Sequence, residues 1–478
     1  ECAKKSNPGI FSLKGKNALG TDFYIVSQNN YINQVGKEAF DIVSTEDNTT
    51  VTISVTADIT GHSAGETFTV TLMKGETYSA RAVSSNAEVS LAGSHITSNH
   101  PIAVTWMDDS ILTGGYDVVG DQTIPVNLLG KEYIAIKGYA DNVPPNDDDE
   151  RVYILATQDS TRVSIDGAAV ATLNAGEQYD YGIPTENNTA YIKTSGPCYV
   201  MHLSGHTGEA GASILPQDSC TGSSRVGFAR TTSNEFALLI LTRNGNQDSF
   251  YLNGDNTLIT AADFNTVPGT GNNWVYFRQN NIPTSEVHEG GNMIENTKGT
   301  FHLGILHKTG ASSEYGYFSN FASLYLGADA NICPGDSMVM DGGAYMNSYV
   351  WKKVINGEWV TVDTNRFFTA RDTGYFSCMT NGDFCTLMDT IHLSYYPNVT
   401  MSLGADRTIC ENTTTTVDPG EFLSYLWSNG SPSRYLTTGI PGAYWVTVTN
   451  NNGCIAKDTI IIELDSLPVI THAIAGPD

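Results

Sequence analysis

The chain has 478 residues, enough for three or four domains at roughly 100–200 residues each. Its 51 Asp and Glu against 25 Lys and Arg leave a formal charge of −26, a field that repels phosphate backbones and anionic membranes and so argues against nucleic-acid partners. Only 16% of residues are charged, against a usual ~25%, and the longest apolar runs, such as Phe236–Leu241, fall far short of the roughly 20 residues a membrane helix needs. That profile fits an extracellular β-rich protein better than a cytosolic enzyme or a membrane-inserted one.

Residues 1–19 read as an N-terminal extension, and the start at Glu1-Cys2 as either a mature end left by cleavage or a boundary of the piece. From residue 20 onward Thr, Val, Tyr and Ile alternate with polar residues. Val51–Thr56 and Thr67–Leu72 have the period of two that marks half-buried strands, and no long stretch has helical periodicity, so the expected fold is all-β. The chain also repeats itself. Thr45-Glu-Asp-Asn-Thr-Thr-Val-Thr-Ile53 returns as Thr157-Gln-Asp-Ser-Thr-Arg-Val-Ser-Ile165. Thr71-Leu-Met-Lys-Gly-Glu-Thr-Tyr78 returns as Thr172-Leu-Asn-Ala-Gly-Glu-Gln-Tyr179, and Ile96 through Pro101 to Val104 matches Ile192 through Pro197 to Val200. A weaker third copy runs from Val226 through Phe250 to Leu306. These define three repeats, 20–128, 129–222 and 223–325, which form an N-terminal head.

Within the first repeat, Gly61-His-Ser-Ala-Gly65 spells the G-x-S-x-G pattern of a hydrolase nucleophile elbow. An elbow requires a strand, a strained turn and a helix, whereas here both flanks are period-two strands. The pattern is read as a turn, with Gly61 and Gly65 supplying positive φ. In the second repeat, Asp147, Asp148, Asp149 and Glu150 end the densest acidic stretch, which offers oxygen ligands suited to calcium but lacks EF-hand spacing. His202 and His206 are spaced by four, yet they follow a strand, so the helical zinc-binding geometry does not apply.

After residue 325 the pattern changes. Leu326-Gly-Ala-Asp-Ala-Asn-Ile-Cys333 is echoed by Leu403-Gly-Ala-Asp-Arg-Thr-Ile-Cys410, and Ala475–Asp478 reads as the start of a further copy. Each copy then has a tryptophan (Trp351, Trp427), an aromatic strand and a late cysteine, the pattern of an immunoglobulin-like sandwich. The modules are expected at 326–396 and 397–474. The widely spaced cysteines favour disulfides and an oxidising compartment. Cys410–Cys454 is the pairing the second module offers. In the first, Cys333–Cys385 is the equivalent by alignment and Cys333–Cys378 would imitate an antibody domain. Cys198–Cys220 would close a loop, and Cys2 has no obvious partner except Cys378.

By the T-x-D-x-T-x-V-x-I and T-L-x-x-G-E-x-Y motifs and Ile96–Val104, residues 20–325 resemble the IgGFc-binding N-terminal domain family, named for a mucosal protein that binds antibody Fc. Residues 326–474 resemble the Ig-like or PKD-like repeats of large Bacteroidota surface proteins, many of them exported by type IX secretion. Together these resemblances imply a secreted, surface-anchored, adhesin-like protein, and no cofactor is expected beyond the calcium that the acidic stretch could hold. In such bacteria Asp-Ser/Thr sites carry O-glycans, which would fall here on Ser110, Ser160, Ser337, Thr390, Thr459 and Ser466. The expected function is non-enzymatic: the head binds a protein or glycan surface ligand through its loops, and the modules act as stalk. A self-associating filament subunit and an extracellular carbohydrate hydrolase are the alternatives.

Overall fold

The computed structural model describes residues 10–465 except 34–35, 88, 113–115, 139–149, 185, 207–208, 219–220, 310–311, 320, 322–323, 325, 328, 344–345 and 382–385. Among the described residues the only helical elements are three short 3-10 turns; the rest is strand and loop. By contact the chain divides into two compact bodies, residues 1–323 with 382–385, and residues 324–381 with 386–478.

In the first repeat, β1 (Gly20–Tyr24), β2 (Ala39–Ser44), β3 (Thr49–Ser54), β4 (Thr67–Leu72), β5 (Thr77–Arg81), β6 (His95–Leu112) and β7 (Tyr116–Thr123) form one sheet system around β6. The first half of this 18-residue strand pairs with β1 and β3, and the second half with β2 and β7. The second repeat recurs strand for strand as β8 (Gly130–Ile136), β9 (Arg151–Ala156), β10 (Thr161–Ile165), β11 (Ala168–Leu173), β12 (Gln178–Gly182), β13 (Thr189–His206) and β14 (Glu209–Ile214), with β13 as the shared strand.

The repeated letters are turn chemistry. The hydroxyls of Thr45 and Thr157 each donate to the carbonyl of the matching proline, Pro101 or Pro197. Asp47 and Asp159 each accept the N–H that opens the next turn, from Lys74 and Ala175 at 3.0 Å. Glu76 and Glu177 each close that turn on a backbone N–H, at 2.8 and 2.7 Å. The motif residues thus build the scaffold in both copies.

The third repeat comprises β15 (Arg225–Arg230), β16 (Phe236–Arg243), β17 (Phe250–Leu252), β18 (Asn265–Thr266), β19 (Trp274–Gln279), β20 (Gly290–Asn296), β21 (Phe301–Thr309) and β22 (Ser312–Phe318). Here the long strand is broken at 297–300. Its first part, β20, pairs with β15 and β17, and its second part, β21, pairs with β16 and β22. That break explains the weaker sequence signal.

The three repeats share apolar seams. On β16, Phe236, Leu238 and Ile240 face their own core, whereas Ala237, Leu239 and Leu241 join the core cluster of the second repeat. On β9, Val152, Ile154 and Ala156 face inward, while Tyr153 and Leu155 join the cluster of the first repeat. A strand buried on both faces loses its alternation, so Phe236–Leu241 reads as a continuous apolar run. Strands β7, β14 and β22, which follow the long strand in each repeat, lie side by side in that order. A Cβ on Gly211 of β14 would come within 2.8 Å of the Tyr315 backbone on β22, so only glycine permits that approach.

The segment 10–18, read from sequence as an extension, is part of this body. Lys14 forms a buried ion pair with Asp121 of β7 at 2.6 Å, and Asn17 donates to the Phe321 carbonyl beyond β22. Burial pulls the Lys14 ammonium below the ordinary lysine range, and the Asp121 charge opposes that shift.

In the second body, the first module has β23 (Ala330–Ile332), β24 (Met338–Asp341), β25 (Ser348–Ile355), β26 (Glu358–Asp363), β27 (Phe367–Ala370), β28 (Gly374–Asn381) and β29 (Thr386–Tyr395). The second has β30 (Arg407–Ile409), β31 (Thr415–Val417), β32 (Ser424–Trp427), β33 (Leu436–Thr438), β34 (Gly442–Thr449) and β35 (Ile455–Leu464). Each is a small two-sheet sandwich whose first strand runs parallel to its last. Trp351 and Trp427 fill the cores and donate their indole N–H to the carbonyls of Asn365 and Ser433, both at 2.8 Å. The L-G-A-D and D-T-I letters also have matching jobs. Asp389 and Asp458 accept the N–H of Leu326 and Leu403, and Asp329 and Asp406 accept those of His392 and Ile461, all at 2.8 Å.

The disulfide pattern departs from expectation. Cys333 is bonded to Cys454, with the Cα atoms 5.4 Å apart, so the bond joins the two modules. Cys333–Cys385 is excluded because Cys333 is taken by Cys454, and Cys410–Cys454 does not form because the parallel first strand pairs with the far end of the last strand, Ile409 opposite Leu464. Cys410 therefore sits beside the end of β35, while Cys454 immediately precedes its start. Ten strand residues at ~3.3 Å each keep these two cysteines roughly 30 Å apart. The antibody-like Cys333–Cys378 pairing fails as well, since Cys378 is a buried free thiol opposite Trp351 on β25. Cys198 is likewise a buried free thiol, so the loop closure with Cys220 is not made. Cys2, Cys220 and Cys385 themselves lie outside the described residues.

Candidate functional site

Two of the sequence candidates meet inside the head. Glu150 stands just before β9 and His202 in the second half of β13; the Glu150 carboxylate lies 2.9 Å from Nε2 of His202, with both side chains fully buried. Nδ1 of His202 is 2.9 Å from the Tyr315 hydroxyl on β22, and the two rings meet edge to face. The Gly138 N–H donates to Glu150 Oε1. The second histidine of the pair, His206, ends β13. Glu150 is thus directed into the fold; Asp147, Asp148 and Asp149 lie outside the described residues. Among the described residues no group of three or more His, Cys, Asp or Glu is placed to hold a metal ion.

The first repeat shows what this pair is for. Val104 pairs with Ile42, and Val200 with Ile154. Glu38 and Glu150, four residues before Ile42 and Ile154, therefore match, as do Trp106 and His202, two residues after Val104 and Val200. Trp106 donates its indole N–H to Glu38 at 3.0 Å, and Leu91 N–H donates to the other oxygen at 2.7 Å. Both repeats thus bury an acid against a ring nitrogen on the long strand, hydrogen-bonded in the first repeat and at ion-pair distance in the second. Such a recurrent anchor is structural. Nearby, Asp108 accepts from Gln28 and Asn33. Burial first, then the Asp108 charge, pushes Glu38 up to about 8; Asp108 is raised by its own burial. The sequence reading missed Glu38, although E-x-F-x-I before β2 and E-x-V-x-I before β9 carry the signal.

Since the shared motifs are scaffold, differences between repeats are where binding chemistry can reside. The largest difference among the described loops joins β3 to β4. In the second repeat Asp166 and Gly167 suffice, whereas in the first the connection spans 55–66. Val55, Ala57 and Ile59 anchor it in the core. Thr60 N–H bonds the Arg81 carbonyl at 3.0 Å and Val83 N–H the Asp58 carbonyl at 2.9 Å, so the loop is tied to the residues ending β5. The G-x-S-x-G letters form its tip, with Gly61 and Gly65 at φ 92° and 78° and no helix following.

At this tip His62 stacks flat on Phe68, 3.5 Å between centroids, and Phe68 lies 5.9 Å from Tyr78. Glu66 accepts from His62 at 2.8 Å and from the Ser63 N–H at 3.0 Å, and the His62 bond leads in holding its carboxyl below the usual range. His62 is thus occupied by Glu66 and Phe68. The result is a half-exposed aromatic ridge with an acidic rim.

The sugar-site candidates that are described in full are exposed: Ser160 in a turn at φ 57°, Ser337 before β24, Thr390 on β29 and Thr459 on β35. Ser110 lies on β6, and Ser466 falls outside the described residues. The aspartates before Thr390 and Thr459 are those that hold Leu326 and Leu403.

The geometry defines an all-β protein with three stacked repeats and two immunoglobulin-like modules. The sequence model of the family described as IgGFc binding protein matches residues 11–305, and the chain belongs to that family. No curated protein sequence matches it. Among solved structures, extracellular domains 3–5 of Drosophila OTK are 12% identical with a TM-score of 0.20, covering 51% of this chain and 92% of that one. A structure described as the basis for Dscam isoform specificity is 9% identical with a TM-score of 0.17, covering 66% and 92%. The titin Ig tandem A164–A165 is 10% identical with a TM-score of 0.13, covering 29% and 93%. At these scores the fold is read from the strand order itself.

Proposed function

We propose that this is an extracellular, non-enzymatic, adhesin-like protein that binds a protein or glycan partner through its head, with the immunoglobulin-like modules as stalk. Surface display in a Bacteroidota-type cell envelope, export by type IX secretion and O-glycosylation at the exposed Asp-Ser/Thr sites belong to the same reading. The observation that carries it is the 55–66 loop: an elaboration of the first repeat relative to the second, anchored by three core residues and laying His62 on Phe68 of β4, which neighbours Tyr78 of β5. Rigid aromatic rings present contact area at small entropic cost and suit both protein and sugar faces. The family name brings antibody Fc into the panel of ligands to be tried.

The test is binding of the intact chain to glycan and protein arrays, Fc included, with and without calcium. Phe68→Ala is expected to weaken capture of the bound ligand at least tenfold while Ser63→Ala leaves it unchanged. Equal capture by Phe68→Ala and the parent chain would refute the loop assignment. Glycan or ester turnover lost with Ser63 would establish the hydrolase reading instead.

A second reading, a self-associating filament subunit, has one observation in its favour. Edge strand β26 exposes every residue from Glu358 to Val362, including Trp359 and Val360, and uncovered edges template strand pairing. Sedimentation that changes with protein concentration, and is abolished by Val360→Lys, would favour it.

A further inference from the structure

In the second module the two cysteine positions lie at opposite ends of the last strand. Cys333 follows β23, whose Ile332 accepts the Tyr396 N–H just past the end of β29. Cys410 follows β30, whose Ile409 accepts the Asp465 N–H just past the end of β35. Each cysteine then opens the same kind of turn: the Asp336 N–H bonds the Cys333 carbonyl at 3.0 Å, and the Thr413 N–H bonds the Cys410 carbonyl at 3.1 Å. Cys454 occupies the other end, in the 450–454 turn that precedes β35. The bond observed therefore runs from the first cysteine of one module to the last cysteine of the next.

Cys410 is the structural counterpart of Cys333, and it is exposed and unbonded. The other free thiols differ. Cys198 and Cys378 are buried, and burial pushes them up to about 12 and about 11, where they stay protonated and inert.

We propose that Cys410 is the open link of a covalent chain: it bonds the cysteine that precedes the last strand of an immunoglobulin-like module of this type docked after the second module. Each joint then carries one disulfide between neighbours, and no module carries its own. Bond formation joins the Cys410 sulfur to the partner sulfur. The two thiols give up two protons and two electrons to one low-molecular-weight disulfide, such as glutathione disulfide, which leaves as two thiols. Cys410 here is one member of a recurring pair, and the Cys333–Cys454 bond shows the other member closed.

The test appends a second copy of residues 397–474 to the intact chain and oxidises it in a glutathione buffer. Non-reducing peptide mapping is expected to recover Cys410 crosslinked to the copy's counterpart of Cys454, with Cys333–Cys454 retained and the copy's own first cysteine labelled by iodoacetamide. In the same protein Cys410→Ser should leave the copy's last cysteine alkylated and Cys333–Cys454 intact. A copy that pairs its own two cysteines, or a Cys410 that stays open to iodoacetamide beside the folded copy, overturns the proposal. The unextended chain guards against misfolding of the copy: native alkylation should label Cys410 and spare Cys333 and Cys454, and recovery of Cys410–Cys454 there would also overturn it.

Discussion

The head and the module pair solve the same problem, joining repeated β units, by different means. In the head, a strand at each seam is buried on both faces, so one repeat's outer face completes its neighbour's core; the cluster of the first repeat has thirty buried residues, eight from the second repeat and one, Phe321, from the end of the third. Each module has a cluster of nine and shares none of them with the other. Small sandwiches with little apolar surface to spare gain from a crosslink, and the Cys333–Cys454 bond spans 121 residues. The lesson is that repeats with surplus apolar faces fuse, whereas repeats that spend those residues on their own cores are tied.

The comparison can be broken first at a seam. Leu239 is fully buried between the second and third repeats, so Leu239→Ala should cost the head about 2–5 kcal/mol and lower its unfolding transition as a whole. Calorimetry of the intact chain that showed only the third repeat destabilised would contradict a fused head. Next is the tie. Cys333→Ser should destabilise the module pair by about 2–4 kcal/mol in denaturant melts monitored at its tryptophans, with the head transition unmoved. An unchanged module melt would mean that the bond ties nothing.

A smaller effect sharpens the account of the buried anchors. Glu38 titrates higher in the fold than its ordinary value of 4.5, reaching about 8. Between those values the folded state holds a proton that the unfolded chain has released, so this contribution to stability is full in acid and is lost as pH rises toward 8. Glu38→Gln keeps an acceptor for Trp106 and removes the titration. The drop in denaturant midpoint from pH 5 to pH 8.5 should therefore be smaller in this variant than in the parent, and an identical drop would assign the pH dependence elsewhere.

Much of the scaffold was legible in the sequence because turn chemistry is local. Asp47 and Asp159, or Glu76 and Glu177, act within a few residues or one hairpin, and their spacing survives copying. The turn reading of Gly61–Gly65 rested on flanking periodicity and the structure agrees with it. Long-range pairing left weaker marks. The apolar run at Phe236–Leu241 gave a length but not its meaning, since two-faced burial and a hydrophobic core strand look alike in one dimension. The cysteines misled for a related reason. Spacing within a module suggested an internal crosslink, but the parallel pairing of first and last strands, which no local pattern announces, moves the second module's two positions to opposite poles. The Glu150–His202 contact joins a residue read as a calcium ligand to one whose zinc reading was set aside; no local pattern links them, because burial and partner geometry are properties of the fold.

Native-state hydrogen exchange on the intact chain addresses the fused head most directly. If the seams make it one cooperative body, the amides of β6, β13 and β16 should open with a single free energy, and Leu239→Ala should lower all three together. Exchange of β16 at a lower free energy than β6, with β6 and β13 untouched by the substitution, would show three independent domains and contradict the account.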